Sequence, residues 1–131
     1  MNTISAQIDT RLYRTEITSS TGNILIADEP QEMGGKNLGF SPSELLASSL
    51  ASCTLITIRM YINRKGWNIS EINIKIDFEK DDDQNVSIFT RKIEIIGEID
   101  EDQRQRLHVI AEKCPIHKLL TNTIKIKTTL I

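Results

Sequence analysis

The feature that most constrains the fold is a long helix that the sequence predicts between Ser41 and Gly66. The run Ser41–Pro42–Ser43–Glu44 combines an N-cap serine, proline at the first helical position and glutamate three residues after the cap. At the other end, Arg64–Lys65–Gly66 places cations in the last turn and glycine where a left-handed cap belongs. From Leu45 to Ile58 the helix has no charge on any face, so protein should surround it. A small domain cannot easily cover such a helix alone, and we therefore expect an intimate homodimer.

The segments before this helix are predicted to form strands. The segment 3–18 is rich in Ile, Thr and Tyr, and a turn at 19–23 leads into a further strand at 24–27. An irregular loop follows from Glu29 to Phe40 and contains Gly34, Gly35 and Gly39. Loops of this length within a compact domain are often functional, although a simple crossing from sheet to helix would also account for it.

After the helix, the apolar period changes to two and predicts a hairpin. Ile72, Ile74, Ile76 and Phe78 alternate with polar residues, the polar segment 80–85 is a solvated turn, and 86–96 is the partner strand. The aspartates of that turn match no calcium loop.

The rest of the chain is predicted to contain two helices and a last strand. Asp100 can cap a helix over 101–113, whose buried stripe would end at Cys114. Pro115 should stop this helix and begin a short one over 116–120. Alternation in 123–130 predicts a final strand. The order βββ–α–ββ–α–β has no regular βαβ repetition, which indicates an α+β fold in a single domain over residues 1–131.

Composition and charge exclude several function classes. The net charge of −2, with no concentration of Lys and Arg, argues against nucleic-acid binding. The first seven residues lack the basic and apolar regions of a signal peptide, so we expect a cytoplasmic protein. The uncharged run Leu45–Ile58 would extend only about 21 Å as a helix, too short for a bilayer, and predicts no membrane association. In the cytosol, two cysteines are more often redox-active, catalytic or metal-binding than structural.

The two cysteines, Cys53 and Cys114, are the candidates for chemistry. If the fold brings them together, one thiolate can be oxidised and the other thiol can resolve the product. Alternatively, Cys53 is a small buried hydrophobe. Cys114 and His117 are spaced as two zinc ligands, but zinc needs three or four, and only Cys53 and His108 remain as sulfur or nitrogen donors. We therefore predict no metal, with His117 as a local hydrogen-bonding residue.

A reactive Cys53 would need a cation or a hydrogen-bond donor beside it. Arg11 and Arg14, on a predicted strand, are the candidate cations, and Glu44 could orient one of them through a bidentate pair. Nine residues at about 100° each put Glu44 and Cys53 on nearly opposite faces of a straight helix. Glu44 could reach the thiol only through a bend, a long arginine or a second subunit, and its capping role alone would explain its presence.

The motifs together resemble the OsmC/Ohr family, and in detail its OsmC-like branch. They are Asp28–Glu29–Pro30, the Gly34–Gly35 loop, the block from Ser41–Pro42–Ser43–Glu44–Leu45–Leu46–Ala47 to Ala51–Ser52–Cys53, and Cys114–Pro115–Ile116–His117. The resemblance covers nearly the whole chain. It implies an α+β fold built by two intertwined subunits, with long central helices and active sites at their interface.

The resemblance also implies an antioxidant thiol peroxidase of the stress response. Cys53 would attack an organic or fatty-acid hydroperoxide and become a sulfenic acid, and Cys114 would condense with it to a disulfide. A dithiol or a lipoylated protein would reduce that disulfide, with no metal or organic cofactor. One position departs from the peroxidase branches, whose catalytic glutamate directly follows the proline, because here Ser43 holds that place and the carboxylate is at Glu44.

Two other functions remain open on the sequence. One is a non-catalytic dimeric binding or stress protein that keeps the fold and an apolar interface pocket. The other is a redox sensor whose disulfide changes partner binding without turnover.

Overall fold

The computed structural model describes residues 2–131 and has the predicted α+β composition, with five strands and three α-helices in that range. The chain forms two compact units, one ending at Leu46 and the other covering Ala47–Ile131. The prediction of a single domain is not decided by this division.

The first unit contains an antiparallel sheet of three strands in the order β1-β2-β3: β1 is Ile4–Ile8, β2 is Thr15–Ser19 and β3 is Ile24–Ala27. The predicted turn between β2 and β3 is confirmed, with Gly22 at φ 92°. Between β1 and β2, the Asp9 carboxylate accepts the Arg11 backbone N–H at 2.8 Å and turns the chain. Arg11 and Arg14 therefore lie in this connection and not on a strand, which corrects the prediction.

The predicted loop after β3 is irregular apart from a short 3-10 helix, Gln31–Met33, and it is organised by Asp28. This side chain is buried, and its carboxylate accepts four backbone N–H groups, from Tyr13 at 3.0 Å, Glu29 at 2.7 Å, Lys36 at 3.3 Å and Leu38 at 3.1 Å. Burial by itself would raise the pKa of Asp28, but the four donors outweigh it and lower that pKa.

The loop also needs a glycine where the backbone folds back on Asp28. A Cβ at position 35 would overlap the Glu29 carbonyl and crowd the Asp28 carboxylate, so only Gly35 fits.

Helix α1, Pro42–Lys65, has the caps that the sequence predicts. The Glu44 N–H donates to Ser41 Oγ at 3.3 Å, and the Ser41 N–H donates to Glu44 Oε1 at 2.9 Å, which completes the capping box. At its C-terminus Gly66 has φ 71°, and the Trp67 N–H donates to the Ile62 carbonyl at 3.2 Å, as in a Schellman motif.

One face of α1 is buried and another is exposed. The buried residues are Leu50, Thr54, Ile58, Tyr61 and Ile62. On the exposed side, Ile56 and Met60 are 54% and 68% accessible, so this chain alone does not surround the uncharged run. The full 24-residue helix is long and apolar enough to cross a membrane by length and composition, whereas the sequence estimate considered only its uncharged half. Helices of a protein core share these properties.

The rest of the second unit is a hairpin with two helices. Strand β4 is Ile69–Asp81 and strand β5 is Val86–Gly97, paired antiparallel as predicted. Helix α2 is Glu101–Glu112, with Asp100 and Gln103 forming a capping box, and helix α3 is Pro115–Thr121. The core joins α1, β4 and α2 through Ile58, Tyr61, Ile62, Ile69, Leu107, Ile110 and Ala111.

The predicted final strand over 123–130 is wrong. In the described part of the chain this segment has no regular secondary structure and pairs with no strand. Its alternating apolar residues are exposed, with Ile126 at 85% and Leu130 at 96%. Alternation favours an extended chain, but a strand also needs a neighbour to bond its backbone groups, and no strand within residues 2–131 pairs with this segment.

We expect Asp28→Asn to destabilise the protein, because an amide has one acceptor oxygen and cannot satisfy four N–H donors. Because folding lowers the pKa of Asp28, its stabilisation is present above the unfolded pKa and is lost as pH falls through the folded value. Thermal unfolding at neutral pH should show a Tm several degrees lower for the variant, with a smaller difference in acid. Glu32→Gln, on the exposed 3-10 helix of the same loop, is the control. An unchanged Tm in Asp28→Asn would contradict the role given to this carboxylate.

Candidate active site

The structure brings the two cysteine thiols close together. Cys53 lies in the middle of α1 and is half-buried, whereas Cys114 is completely buried at the N-cap of α3. Their side chains are close enough for each thiol to affect the ionisation of the other. A fold that joins two distant thiols in this way permits oxidation of one and resolution by the other.

Local sequence signals position Cys114. Leu107, Ile110 and Ala111 are buried along α2, and Cys114 continues that stripe as predicted. Pro115 occupies the first turn of α3, so the chain changes direction at the cysteine. As a result Cys114 Sγ accepts the His117 N–H at 3.4 Å.

The surroundings shift the two thiols in opposite directions. Burial raises the pKa of Cys53, and its hydrogen bond to Cys114 raises it further, although contacts with the Ile116 N–H and Thr57 oppose this. Burial also acts to raise the pKa of Cys114. However, hydrogen bonds from Cys53, from the N–H groups of His117 and Ile116 and from Thr54 outweigh burial and lower that pKa.

A buried arginine that sequence reasoning missed bonds to residues that flank the two cysteines in the chain. The side chain of Arg91, on β5, is only 11% exposed. Its Nη1 donates to Thr54 Oγ1 at 3.0 Å and to the Ala111 carbonyl at 3.2 Å, and its Nη2 lies 2.8 Å from His117 Nδ1. Glu112 Oε2 is 3.5 Å from the same Nη2. The sequence did contain a signal for a buried charge at this position. Residue 91 lies on the same face of the strand as Phe89, Ile93 and Ile95, where an apolar side chain is expected.

His117 is a hydrogen-bonding residue, as predicted. Arginine only donates, so His117 Nδ1 accepts from Arg91, and the proton of the neutral ring is on Nε2, which lies 3.1 Å from Glu112 Oε2. Both ring nitrogens are thus engaged with other side chains. Among residues 2–131 no three His, Cys, Asp or Glu side chains are arranged to hold a metal ion. The other histidine, His108, has its Nε2 3.7 Å from Glu112 Oε1.

The other predicted catalytic residues have partners within their own segments. Arg11 forms a bidentate pair with Asp9, with Nη2–Oδ2 at 2.7 Å, and this pair lowers the pKa of Asp9 to about 2. Arg14 Nη2 lies 3.6 Å from Glu16 Oε2. Hydrogen bonds from Ser41 lower the pKa of Glu44, which caps α1. Catalytic roles for Arg11, Arg14 and Glu44 stay predictions.

Comparison with known families and structures finds one family model, described as OsmC-like protein, that matches residues 34–129. No match was found among curated protein sequences. Among solved structures, a protein of Psychrobacter arcticus described as an osmotic stress induced and detoxification response protein is 27% identical, with 91% of this chain and 88% of that chain covered and a TM-score of 0.79.

Two further structures share the fold at lower identity. An OsmC-like protein from Mycoplasma pneumoniae is 20% identical, with 92% of this chain and 86% of that chain covered and a TM-score of 0.77. The organic hydroperoxide resistance protein OhrB of Bacillus subtilis is also 20% identical, with coverage of 97% and 95% and a TM-score of 0.62.

We predict that stoichiometric diamide joins Cys53 and Cys114 within one chain, because the two side chains lie close together. Closing a loop of this length should raise the free energy of unfolding by about 2–4 kcal/mol. Peptide mapping of the oxidised protein and urea unfolding with and without reductant measure both effects. If oxidation yields only disulfides between chains, Cys53 and Cys114 of one chain are not placed to form a disulfide.

Proposed function

Because the chain belongs to the OsmC-like protein family, we propose that it is a cytoplasmic thiol-dependent peroxidase that reduces organic hydroperoxides. The observation that carries the proposal is that Cys53 and Cys114 lie close enough for each thiol to affect the ionisation of the other. Proteins of the same fold bear the name organic hydroperoxide resistance protein, which supports this substrate class.

The reaction proceeds in two steps that use both sulfurs. The Cys53 thiolate attacks one peroxide oxygen, the O–O bond breaks, and the products are a Cys53 sulfenic acid and an alkoxide that takes up a proton to become an alcohol. Cys114 sulfur then attacks the sulfenic sulfur, forming the disulfide and releasing water. A dithiol, free or on a lipoylated protein, reduces the disulfide and is itself oxidised. No step requires a metal or an organic cofactor.

The exposure of the two sulfurs fits the roles of Cys53 as nucleophile and Cys114 as resolving thiol. Cys53 is half-buried and can meet a substrate, whereas Cys114 is completely buried. The residues flanking Cys53 on α1 are mostly small or apolar. Such surroundings favour an alkyl hydroperoxide over hydrogen peroxide, since the alkyl group buries apolar surface.

We also propose that the protein works as a homodimer with a second copy covering the exposed side of α1. A groove of about 400 Å³ runs there, lined by Leu55, Ile56, Arg59, Met60 and Ile72. Ile56 and Met60 together form an apolar surface on a helix that is otherwise part of the core.

We expect Cys53→Ser to reduce hydroperoxide consumption to background, because the nucleophile is lost. Cys114→Ser should stop multiple turnover and leave a sulfenic acid on Cys53 that dimedone labels. Cumene hydroperoxide consumption with dithiothreitol or dihydrolipoamide is the assay, and Ser52→Ala, next to the nucleophile, is the control. Wild-type protein that consumes no hydroperoxide with either dithiol would overturn the proposal, and reversible oxidation without flux would favour the redox sensor.

For the dimer, we expect Met60→Asp to shift the protein toward monomer, because the charge would be buried in the proposed interface. Sedimentation equilibrium of wild type and variant measures the change in mass. Val109→Asp, at an exposed apolar position of α2, is the matched control and should leave the mass unchanged. A monomeric wild-type protein at micromolar concentration would rule out the dimer.

A further inference from the structure

A cavity of about 250 Å³ in the second unit takes no part in the proposed peroxidase cycle. Helix α1, strand β5 and helix α2 form its walls, and the described residues that line it include no cysteine and no carboxylate. Sites for drug-sized ligands measure roughly 300–1,000 Å³, so this cavity suits a smaller molecule. The lining residues are Ile58, Arg91, Ile93, Ile95, Arg104, Leu107 and His108.

The two arginines of the cavity are associated with opposite ends of α2. Arg91 reaches the C-terminal end, where its Nη1 donates to the Ala111 carbonyl at 3.2 Å and its Nη2 lies 3.5 Å from Glu112 Oε2. Arg104 lies seven positions before Ala111, which is about 10 Å along the helix axis. Helical side chains tilt toward the N-terminus, so the Arg104 guanidinium extends away from Arg91. The cavity therefore has a cation at each end.

Both cations have N–H groups left for a ligand. Arg91 has five N–H donors, and its two Nη atoms direct four of them at the partners described above. The Nε–H has no partner among residues 2–131. Since no buried side-chain nitrogen in that range lacks a partner, Nε borders open space. Arg104 is exposed, and its guanidinium forms no hydrogen bond or ion pair with the described part of the chain.

The walls between the two arginines are apolar. Leu107, 3% exposed, lies on α2 between the two ends and packs with the completely buried Ile58 of α1 in the core. On β5, Ile93 and Ile95 follow Arg91 on the same face of the strand and pack against that core. An alkyl chain placed along these residues would bury apolar surface.

The balance of charge favours an anionic ligand. Glu112 lies beside Arg91 but does not line the cavity, and its side chain is 48% exposed, so water screens much of its charge. His108 is exposed at the edge of the cavity, where its imidazole adds no negative charge. Two guanidinium groups therefore set the sign of the potential inside.

We propose that this cavity binds a linear molecule with a carboxylate at each end and an alkyl chain between them. One carboxylate accepts the Nε–H of Arg91, the other pairs with Arg104, and the chain lies against the four aliphatic residues. An extended chain advances about 3.3–3.6 Å for every three bonds, so the carbon chain of suberate spans about 8 Å and reaches both cations. The assignment is independent of the peroxidase function, because neither cysteine lines the cavity.

The first test locates the ligand by NMR. Reduced protein with labelled isoleucine and leucine methyl groups is titrated with suberate. The methyl signals of Ile58, Ile93 and Leu107 should shift together and saturate. Leu55 and Ile56, which line the groove on the exposed side of α1, are the internal control and should not shift. Shifts confined to those two residues, or no saturable shift at all, would overturn the proposal.

The second test compares ligands of equal length by isothermal titration calorimetry. Octanoate has one carboxylate and should bind about tenfold or more weakly than suberate, which is the effect of losing one charge-assisted hydrogen bond. The uncharged 1,8-octanediol should bind more weakly than octanoate. If octanoate binds as tightly as suberate, only one end of the cavity accepts an anion and the dicarboxylate assignment is wrong.

The third test changes the exposed arginine, so that folding is preserved. Arg104→Gln should weaken suberate binding about tenfold and remove the advantage of suberate over octanoate. Arg104→Lys keeps the charge and should retain most of the affinity. Arg106→Gln is the matched control, because it changes the net charge equally on the same helix and Arg106 does not line the cavity. Suberate affinity that is unchanged in Arg104→Gln, or lowered equally in Arg106→Gln, would contradict the proposed site.

Discussion

The packing of α1 against α2 is the interaction on which the site depends. Ile58, Ile62 and Leu107 are almost completely buried in one core to which both helices contribute. Cys53 lies about one and a half turns before Ile58 on one helix, and Cys114 directly follows the buried stripe of the other. Hydrophobic packing therefore brings the two sulfurs close together, and the thiol site is as rigid as the core that holds it.

Arg91 is a charged side chain that is nearly buried beside that core. Burying a guanidinium is costly unless its donors are satisfied, and here both terminal nitrogens are bonded. The partners belong to α1, α2 and α3, so one side chain ties three helices to the hairpin. An apolar residue at this position would remove all three of these bonds.

Features set by neighbouring residues were predictable from the sequence, and features set by distant contacts were not. The caps at Ser41, Gly66 and Asp100 depend on residues a few positions away, and all three are confirmed. The role of Arg91 depends on Thr54 and His117, which are 37 and 26 positions away, and a basic residue in a strand normally faces water. The predicted strand over 123–130 failed for a similar reason, since alternation is local but strand pairing is not.

Asp28 links the β1–β2 connection to the loop after β3 through hydrogen bonds to both. Its four donors lie at positions 13, 29, 36 and 38, so the spacing between them is fixed by one carboxylate with two oxygens. Adding or deleting a residue between 29 and 38 would withdraw donors from that carboxylate and leave it charged and buried. Variation in chain length among homologues should therefore be absent from this loop and concentrate in the exposed hairpin turn at 82–85.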